Sequence, residues 1–431
     1  MTKTPRGASA PDPGILPDID TPADKIWLSD YELWLKPEGE REALFRKLRV
    51  EQPMSFHEEM VFENFPQGPG YWALTTHDDV TFASRHPDLF ISGHGSNIGD
   101  LPPELSEMLG SMINMDSPRH TKLRLIVNKG FTPRMVARIE DYVHDIAREI
   151  VEEIRQKGEV DFVTDVAAPM PLRIICDMMG IPRSDSEFIF EQTNHLLGGL
   201  DPEYNESAAD MLSGGWNMWS YAQELGEQRR REPKDDLTTA LVNAEVEGQQ
   251  LTAAEFGSFF VLLCTAGNET TRNAIAHGLL ELTRHPDERA KLLADPENIM
   301  PMAVEEIVRW STPVIHFRRT ATEDVEFPSG NGSVKAGEKV VLWYNSANRD
   351  ERFWDDPYRF DVTRTPNDHV GFGGGGPHFC LGANLARREI RVMFEELFKV
   401  LPDIEVAGEP SMLESFFIHG IKHLPAKFTP A

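Results

Sequence analysis

Residues 371–382 read GFGGGGPHFCLG: four consecutive glycines, then Pro377, His378 and a single cysteine, Cys380. Such a loop either cradles phosphate or holds a metal by sulfur. Gly371, Gly373 and Gly376 satisfy G-x-G-x-x-G. A dinucleotide site also needs a strand before the glycines, a helix directly after them, and a second strand carrying an acid. Here Pro377, His378 and Phe379 intervene, only about fifty residues follow, and there is no Gly-Lys-Ser/Thr. The phosphate reading is the weaker one.

Sulfur has better physics. Apolar residues at helical spacing run from Ala383 to Leu401, and Pro402 stops them. Cys380 therefore precedes a helix, whose free N–H groups and dipole stabilise a thiolate. Glycines let the loop pass close under a flat ligand, because no Cβ intrudes. A buried structural cysteine beside a glycine-rich turn remains the alternative at this point.

Composition narrows the class. The chain has 431 residues, 40% hydrophobic and 26% charged, and a net charge of −27. That suits a globular protein and argues against a nucleic-acid or anionic-membrane partner. Length alone suggests two or three domains. Cys176, Cys264 and Cys380 form neither a disulfide framework nor a paired zinc spacing, which fits a reducing cytoplasm. The longest apolar run, Phe259 to Gly267, falls short of the ~20 residues of a membrane span, and no signal peptide is apparent. Residues 1–24, rich in Pro, Asp and small residues, read as a flexible tail.

Most of the remainder has helical spacing. Met135, Ile139, Val143, Ile146, Ile150 and Ile154 form one stripe within segment 134–157. Segment 251–284 opens with Thr252 and Glu255, a capping box, and continues without proline. A helix so long, with an apolar middle, belongs in the core. Tyr71–Thr75 and Lys339–Tyr344 read as strands.

Three polar groupings stand out. Ala266-Gly267-Asn268-Glu269-Thr270-Thr271 lies inside the long helix. Gly267 there costs roughly 1 kcal/mol against Ala. The segment is either a kink with the Thr hydroxyl bonded back to a carbonyl, or a groove for dioxygen beside an acid–alcohol pair. Glu306 and Arg309 stand three apart, a spacing that usually makes a surface ion pair. His120 and Arg124 are i and i+4 in SPRHTKLRLIV.

In combination these residues resemble the cytochrome P-450 family, the haem-thiolate monooxygenases. The resemblance rests on the loop ending His378-Phe379-Cys380-Leu381-Gly382, on Ala266-Gly267-x-Glu269-Thr270 and on Glu306-x-x-Arg309, and it covers everything after the tail. It implies one mainly helical haem domain with small β-sheets over residues 25–431, the haem lying between the long central helix and the helix after the cysteine. It implies haem b with Cys380 as axial thiolate, a ligand that favours O–O cleavage. His120, Arg124, Arg319 and His378 would meet the haem propionates, and Gly267, Glu269 and Thr270 would serve oxygen and proton delivery. Glu306 and Arg309 would form a buried pair completed by Arg359, with Arg364 as the rival. The family's usual Phe seven residues before the cysteine is replaced by Gly373, with Phe372 one position earlier, so the packing of Phe372 is open.

Within that family PLRIICDMMGIP (171–182), AVEEIVRWSTPV (303–314) and VLWYNSANRDE (341–351) are most similar to bacterial hydroxylases of methyl-branched lipids and sterol side chains. This implies terminal (ω) hydroxylation of a hydrophobic substrate by O₂, with terminal hydroxylases of alkanes, fatty acids or acyclic terpenes as the alternative. Electrons would come from a separate ferredoxin and an NAD(P)H-dependent reductase, since no flavin or iron–sulfur segment remains. Arg387 and Arg388 would either take part in that docking or lie on a solvated face. The substrate channel would involve Asn97, Met112, Leu263, Ala266, Val314, Phe317, Phe417 and segment 196–200 around Gly198. A non-catalytic haem-binding protein, a peroxide-driven oxidase and a nucleotide-binding enzyme are the competing classes. The Glu269–Thr270 pair argues against a mere carrier.

Overall fold

A computed structural model describes residues 16–61, 67–130, 133–199, 201–246 and 248–431. In its first half lie α1 (Glu38–Glu51), β1 (Met54–His57), β2 (Tyr71–Leu74), α2 (His77–Arg85), β3 (Phe90–Ile91), α3 (Pro103–Gly110), α4 (Arg119–Gly130), α5 (Pro133–Ile154) and β4 (Glu159–Asp161). The helices α6 (Pro169–Met179), α7 (Ser186–Gly198), α8 (Ala208–Arg231), α9 (Ala253–Arg284) and α10 (Pro296–Ser311) follow. Then come β5 (His316–Ala321), β6 (Lys339–Trp343), α11 (Ala383–Val400), β7 (Ser411–Met412), β8 (Ile421–His423) and β9 (Pro425–Lys427).

The central helix α9 has 32 residues, with the Thr252–Glu255 capping box formed at its start. Its two ends belong to different apolar clusters. Phe256, Phe259, Phe260 and Cys264 pack with α6, α8 and Met112. Ala274, Ile275, Leu279 and Leu282 pack with α5, α10 and α11. One helix thus threads both cores, which is why a chain of this length does not split into the two or three domains that length suggests. Of the expected α5 stripe, Val143, Ile146, Ile150 and Ile154 are buried; Met135 and Ile139 lie outside the described side chains.

The main sheet has the order β1-β2-β6-β5-β3. β6 runs parallel to β2 and antiparallel to β5, with Val340 opposite Arg319. Alternation assigns Tyr71, Ala73, Val341 and Trp343 to one face, packed on α1, and Leu74, Val340 and Leu342 to the other. Packing begins earlier than the tail boundary expected at residue 24: Ala23 is buried in the first of these clusters, and Ile19 is partly buried against it. Residues 1–15 lie outside the described part.

Candidate functional site

The cysteine loop is shaped by left-handed backbone. Gly373, Gly375 and Gly376 have φ of +96°, +97° and +76°, a region that only glycine occupies freely. This explains why no Phe stands at 373. The neighbouring Phe372 packs against the apolar core and under the Arg387 guanidinium, 4.4 Å from its ring centre. Its carbonyl accepts from the Cys380 N–H at 3.0 Å, closing the loop. A Cβ on Gly374 would lie 2.6 Å from Ser84 Oγ, and one on Gly376 would lie 2.2 Å from Ser84 O. Those two glycines admit the end of α2, a role the sequence reading had given to a flat ligand.

Cys380 is solvent-accessible on one side. Burial of the rest pushes its thiol pKa up, opposed by the Gly382 N–H and by Arg124 and Arg387. Arg124 donates to Pro377 O at 2.7 Å and to Phe379 O at 2.8 Å, bracing the loop from α4. His120, one helical turn away, packs against His378 with ring centres 4.3 Å apart and the rings tilted by 38°. Burial lowers the His120 pKa, and it lowers that of His378 to about 2, helped by Arg319, His120 and Arg124. His120 Nε2 is buried and has no partner among the described residues. Of the adjacent arginines on β5, Arg318 is engaged by Asp100 at 2.6 Å. Buried Arg319 donates from one nitrogen, to Arg318 O at 2.7 Å.

Four basic side chains thus gather beside one accessible thiol. Among the described residues the carboxylate that acts on His120 and Arg319 is Asp116, which also accepts from the Ser92 and Gly93 N–H groups at 2.8 and 2.7 Å. Buried polar and basic groups with unmet hydrogen-bonding capacity are unfavourable. The set therefore fits a group that offers one site to sulfur and carboxylates to the bases, which is the chemistry of haem b. Among the described residues no cluster of three His, Cys, Asp or Glu could hold a bare metal ion.

On α9, Leu262, Leu263, Gly267 and Thr270 are half-buried and Ala266 is exposed, although the helix is otherwise largely buried. These positions form one strip. Thr270 Oγ1 donates to Ala266 O at 2.6 Å, the back-bond foreseen in the kink reading, and the helix runs on through it. A Cβ on Gly267 would meet Ile175 Cδ1 at 2.7 Å, so this glycine lets α6 approach. Glu269 does not share the strip. It is buried, paired with Arg272, and accepts from Asn273 Nδ2 at 2.9 Å.

Glu306 and Arg309 are fully buried and paired at 2.7 and 2.8 Å. Their third member is Arg364, not Arg359. Arg364 Nε lies 3.2 Å from both Glu306 oxygens. The Arg359 side chain is 55% exposed and reaches Glu288 and Asp361 at 3.9 Å. Only the Arg359 carbonyl joins the network, accepting from Arg309 and Arg364. The rival named from sequence is thus the member, because the turn over 361–364 folds Arg364 back onto Glu306. Arg309 also donates to Asn348 O and Pro357 O, and Asn348 Oδ1 receives the Val370 N–H. The network thereby holds the segment that leads into the cysteine loop. Glu305, which the sequence reading missed, clamps Arg387 at 2.6 Å and His369 at 3.0 Å. Arg387 is thus committed to an internal pair, which weighs against a docking role.

The expected channel residues divide. Val314, Phe317 and Phe417 are half-buried and come together: Val314 bridges to Ile418, and the Phe317 and Phe417 rings meet edge-on at 5.7 Å. Met112 is buried core and Leu263 packs on the same cluster. Asn97 is exposed, its carbonyl receiving Arg318 at 3.3 Å. Gly198 is buried beneath Tyr204; Leu200 lies outside the described residues.

The fold and this site define a haem-thiolate protein, and the chain belongs to the cytochrome P450 family. That family matches residues 218–410. The methyl-branched lipid omega-hydroxylase of Mycobacterium bovis is 49% identical over 416 residues, 96% of this chain and 97% of that protein. The steroid C26-monooxygenase of Mycolicibacterium smegmatis is 40% identical over 368 residues, 84% of each chain. A solved Mycobacterium marinum cytochrome P450 in complex with pseudoionone is 44% identical, with a TM-score of 0.87 over 93% of this chain and 98% of that one. The protein is therefore a monooxygenase that carries haem on a cysteine thiolate and acts on a lipophilic substrate with O₂. Among the described residues no helix is long and apolar enough to cross a membrane.

Proposed function

We propose that the protein hydroxylates the terminal methyl of a methyl-branched lipid or sterol side chain. Cys380 would hold the haem iron by its thiolate, and His120, Arg319 and His378 would hold the haem carboxylates, with Arg124 bracing the loop. The reading is carried by one observation: an accessible thiol on a glycine-shaped loop, beside buried Arg319 and buried His120, whose Nε2 has no partner among the described residues. Relatives named for ω- and C26-oxidation, matching 84% or more of the chain, support the choice of carbon.

When bound, haem supplies oxygen activation and C–H oxidation; the chain supplies position, protons and dryness. Val314, Phe317, Phe417 and Leu263 orient the substrate tip. A terminal C–H bond is stronger than an internal one, so the apolar walls must exclude every other carbon. Thr270 turns its hydroxyl from Ala266 O toward the strip and donates a proton there. Glu269 resupplies it. Electrons arrive singly from a separate ferredoxin with its NAD(P)H-dependent reductase, and the protein works in the cytoplasm.

A second reading, an alkane- or terpene-type substrate, is favoured by the relative solved with pseudoionone. Titration with branched fatty acids, cholestenone-type sterols, alkanes and terpenes, read by the haem spin state, separates the two. A terminal alcohol from the branched lipid or sterol is the expected product. Internal hydroxylation, or response to short terpenes alone, contradicts the first reading.

A further inference from the structure

Phe416 and Phe417 stand side by side in the connection between β7 and β8, residues 413–420, yet they serve different places. Phe416 is partly buried on the cluster that holds Trp343 and Ile98. Phe417 meets Phe317 edge-on at 5.7 Å, on the wall assigned to the substrate tip. Apolarity cannot tell the two apart, since a chain slipped by one residue would still set a phenylalanine, Phe416, at that wall. The flanking strands do not settle the register either. Their pairing already shifts by one residue, Ser411 facing His423 and Met412 facing Ile421.

What distinguishes the registers is polar. Three imidazoles converge on the connection. His316, at the start of β5, donates from Nδ1 to Phe416 O at 3.1 Å. His277, on α9, donates from Nε2 to His419 O at 3.2 Å. His419 itself donates from Nδ1 to Ser311 O, at the end of α10, at 2.6 Å. A carbonyl only accepts, so the place of each ring proton follows from its partner. His277 and His316 are buried and His419 largely so. Burial lowers all three pKa values, that of His316 to about 3, so each ring is neutral and its single N–H is given to a carbonyl. The opposite nitrogens of His316 and His419 have no hydrogen-bond partner among the described residues. Backbone bonds follow the same register: the Ile315 N–H reaches Phe417 O and the His419 N–H reaches Pro313 O, both at 2.9 Å. A buried donor left without an acceptor is costly, and a one-residue slip would leave His277 and His316 in that state together.

We propose that His277 and His316 are positioning residues: by holding the carbonyls on either side of Phe417 they lock residues 413–420 in the one register that sets the Phe417 ring against Phe317, and so determine which carbon of the substrate is oxidised. They act through Phe417, and the choice of carbon rests on the ω-hydroxylation reading above. His316 is the neighbour of Phe317, so both rings of the wall are referred to one strand. The central helix joins the same frame. Asn273 Oδ1 receives the Ile421 N–H at 3.0 Å while its Nδ2 donates to Glu269 at 2.9 Å.

The test uses the holoenzyme and pairs of variants that differ in the donor. Leucine removes it, whereas an amide returns an N–H, asparagine near the place of Nδ1 and glutamine near that of Nε2. His316→Leu and His277→Leu should each raise KM and raise several-fold the share of product hydroxylated away from the terminal methyl. His316→Asn and His277→Gln should stay near the parent. A histidine that merely supports the fold would lower the unfolding midpoint and leave the products of the folded, haem-loaded fraction unchanged. That result in either leucine variant overturns the proposal, as does an amide variant that behaves like its leucine partner. If His277→Leu takes up no haem, His316→Leu decides alone. Nitrogen NMR of histidine-labelled protein, reduced and bound to carbon monoxide, should show the Nδ1–H form at His316 and the Nε2–H form at His277; the opposite forms, or charged rings, also overturn it. If the parent makes no terminal alcohol, the ω-hydroxylation reading fails by itself. The leucine variants are then judged on the parent's own products: a redistributed pattern supports the role of the two histidines, and an unchanged one ends it.

Discussion

Among the described residues two Glu-x-x-Arg pairs are buried at both partners, and they differ in how completely they are satisfied. Glu306–Arg309 on α10 is saturated: both Glu306 oxygens take Arg309, Arg364 and either the Asp361 N–H or Asn367 Nδ2. Glu269–Arg272 on α9 has the same spacing and burial, yet Glu269 Oε2 and Arg272 Nε have no partner among the described residues. A buried charge pair contributes rigidity only when its remaining lone pairs and protons are met. The first pair is a fixed strut under the cysteine loop. The second keeps binding capacity in reserve beside Thr270.

The largest effect should follow from breaking the saturated pair. Glu306→Ala or Arg309→Ala strands a buried partner charge and should cost about 3–5 kcal/mol of stability, read in denaturant unfolding and as loss of haem-loaded protein. Glu269→Gln should cost less, about 1–3 kcal/mol. Equal losses at both pairs would erase the distinction drawn between them. Next in size, Thr270→Ala should lower product per NAD(P)H about tenfold, with peroxide in its place; unchanged coupling would leave the open pair without a proton to pass on.

Smaller again is the contrast between two arginines. Arg364→Met removes a ligand of buried Glu306 and should cost about 1–3 kcal/mol. Arg359→Met, at an exposed side chain, should stay within about 0.5 kcal/mol, and the reverse order would restore Arg359 to the strut. The smallest effect lies at the surface. Hydrogen bonding to Asp161, then to Glu203, raises the pKa of His423 above its ordinary value. A raised folded-state pKa gives stability that is complete below the unfolded value near 6.5 and is lost as pH rises through the folded value. His423→Gln should flatten that slope of stability against pH. With the side chain 45% exposed, the whole effect should stay below about 1 kcal/mol.

What could be read from sequence follows from how local the signal is. The length and cap of α9, the stop of α11 at Pro402 and the thiol before a helix are written within a few residues of one another. The third partner of Glu306 could be narrowed only to Arg359 or Arg364, because Arg364 arrives by a turn that no periodicity announces. Gly374 and Gly376 were assigned a ligand when their neighbour is Ser84, fixed by the distant packing of α2. Glu269-Thr-Thr-Arg272 passed without notice as an ion pair, since its meaning comes from burial against α7 and not from its spacing.

The most direct test is spectroscopic. Reduced, haem-supplied protein under carbon monoxide should show the strongly red-shifted Soret band of sulfur-bound iron, and Cys380→His should abolish that shift while haem remains bound. A parent protein that folds and takes up haem without the shift, or a Cys380→His variant that keeps it, would contradict the assignment of Cys380 as the ligand.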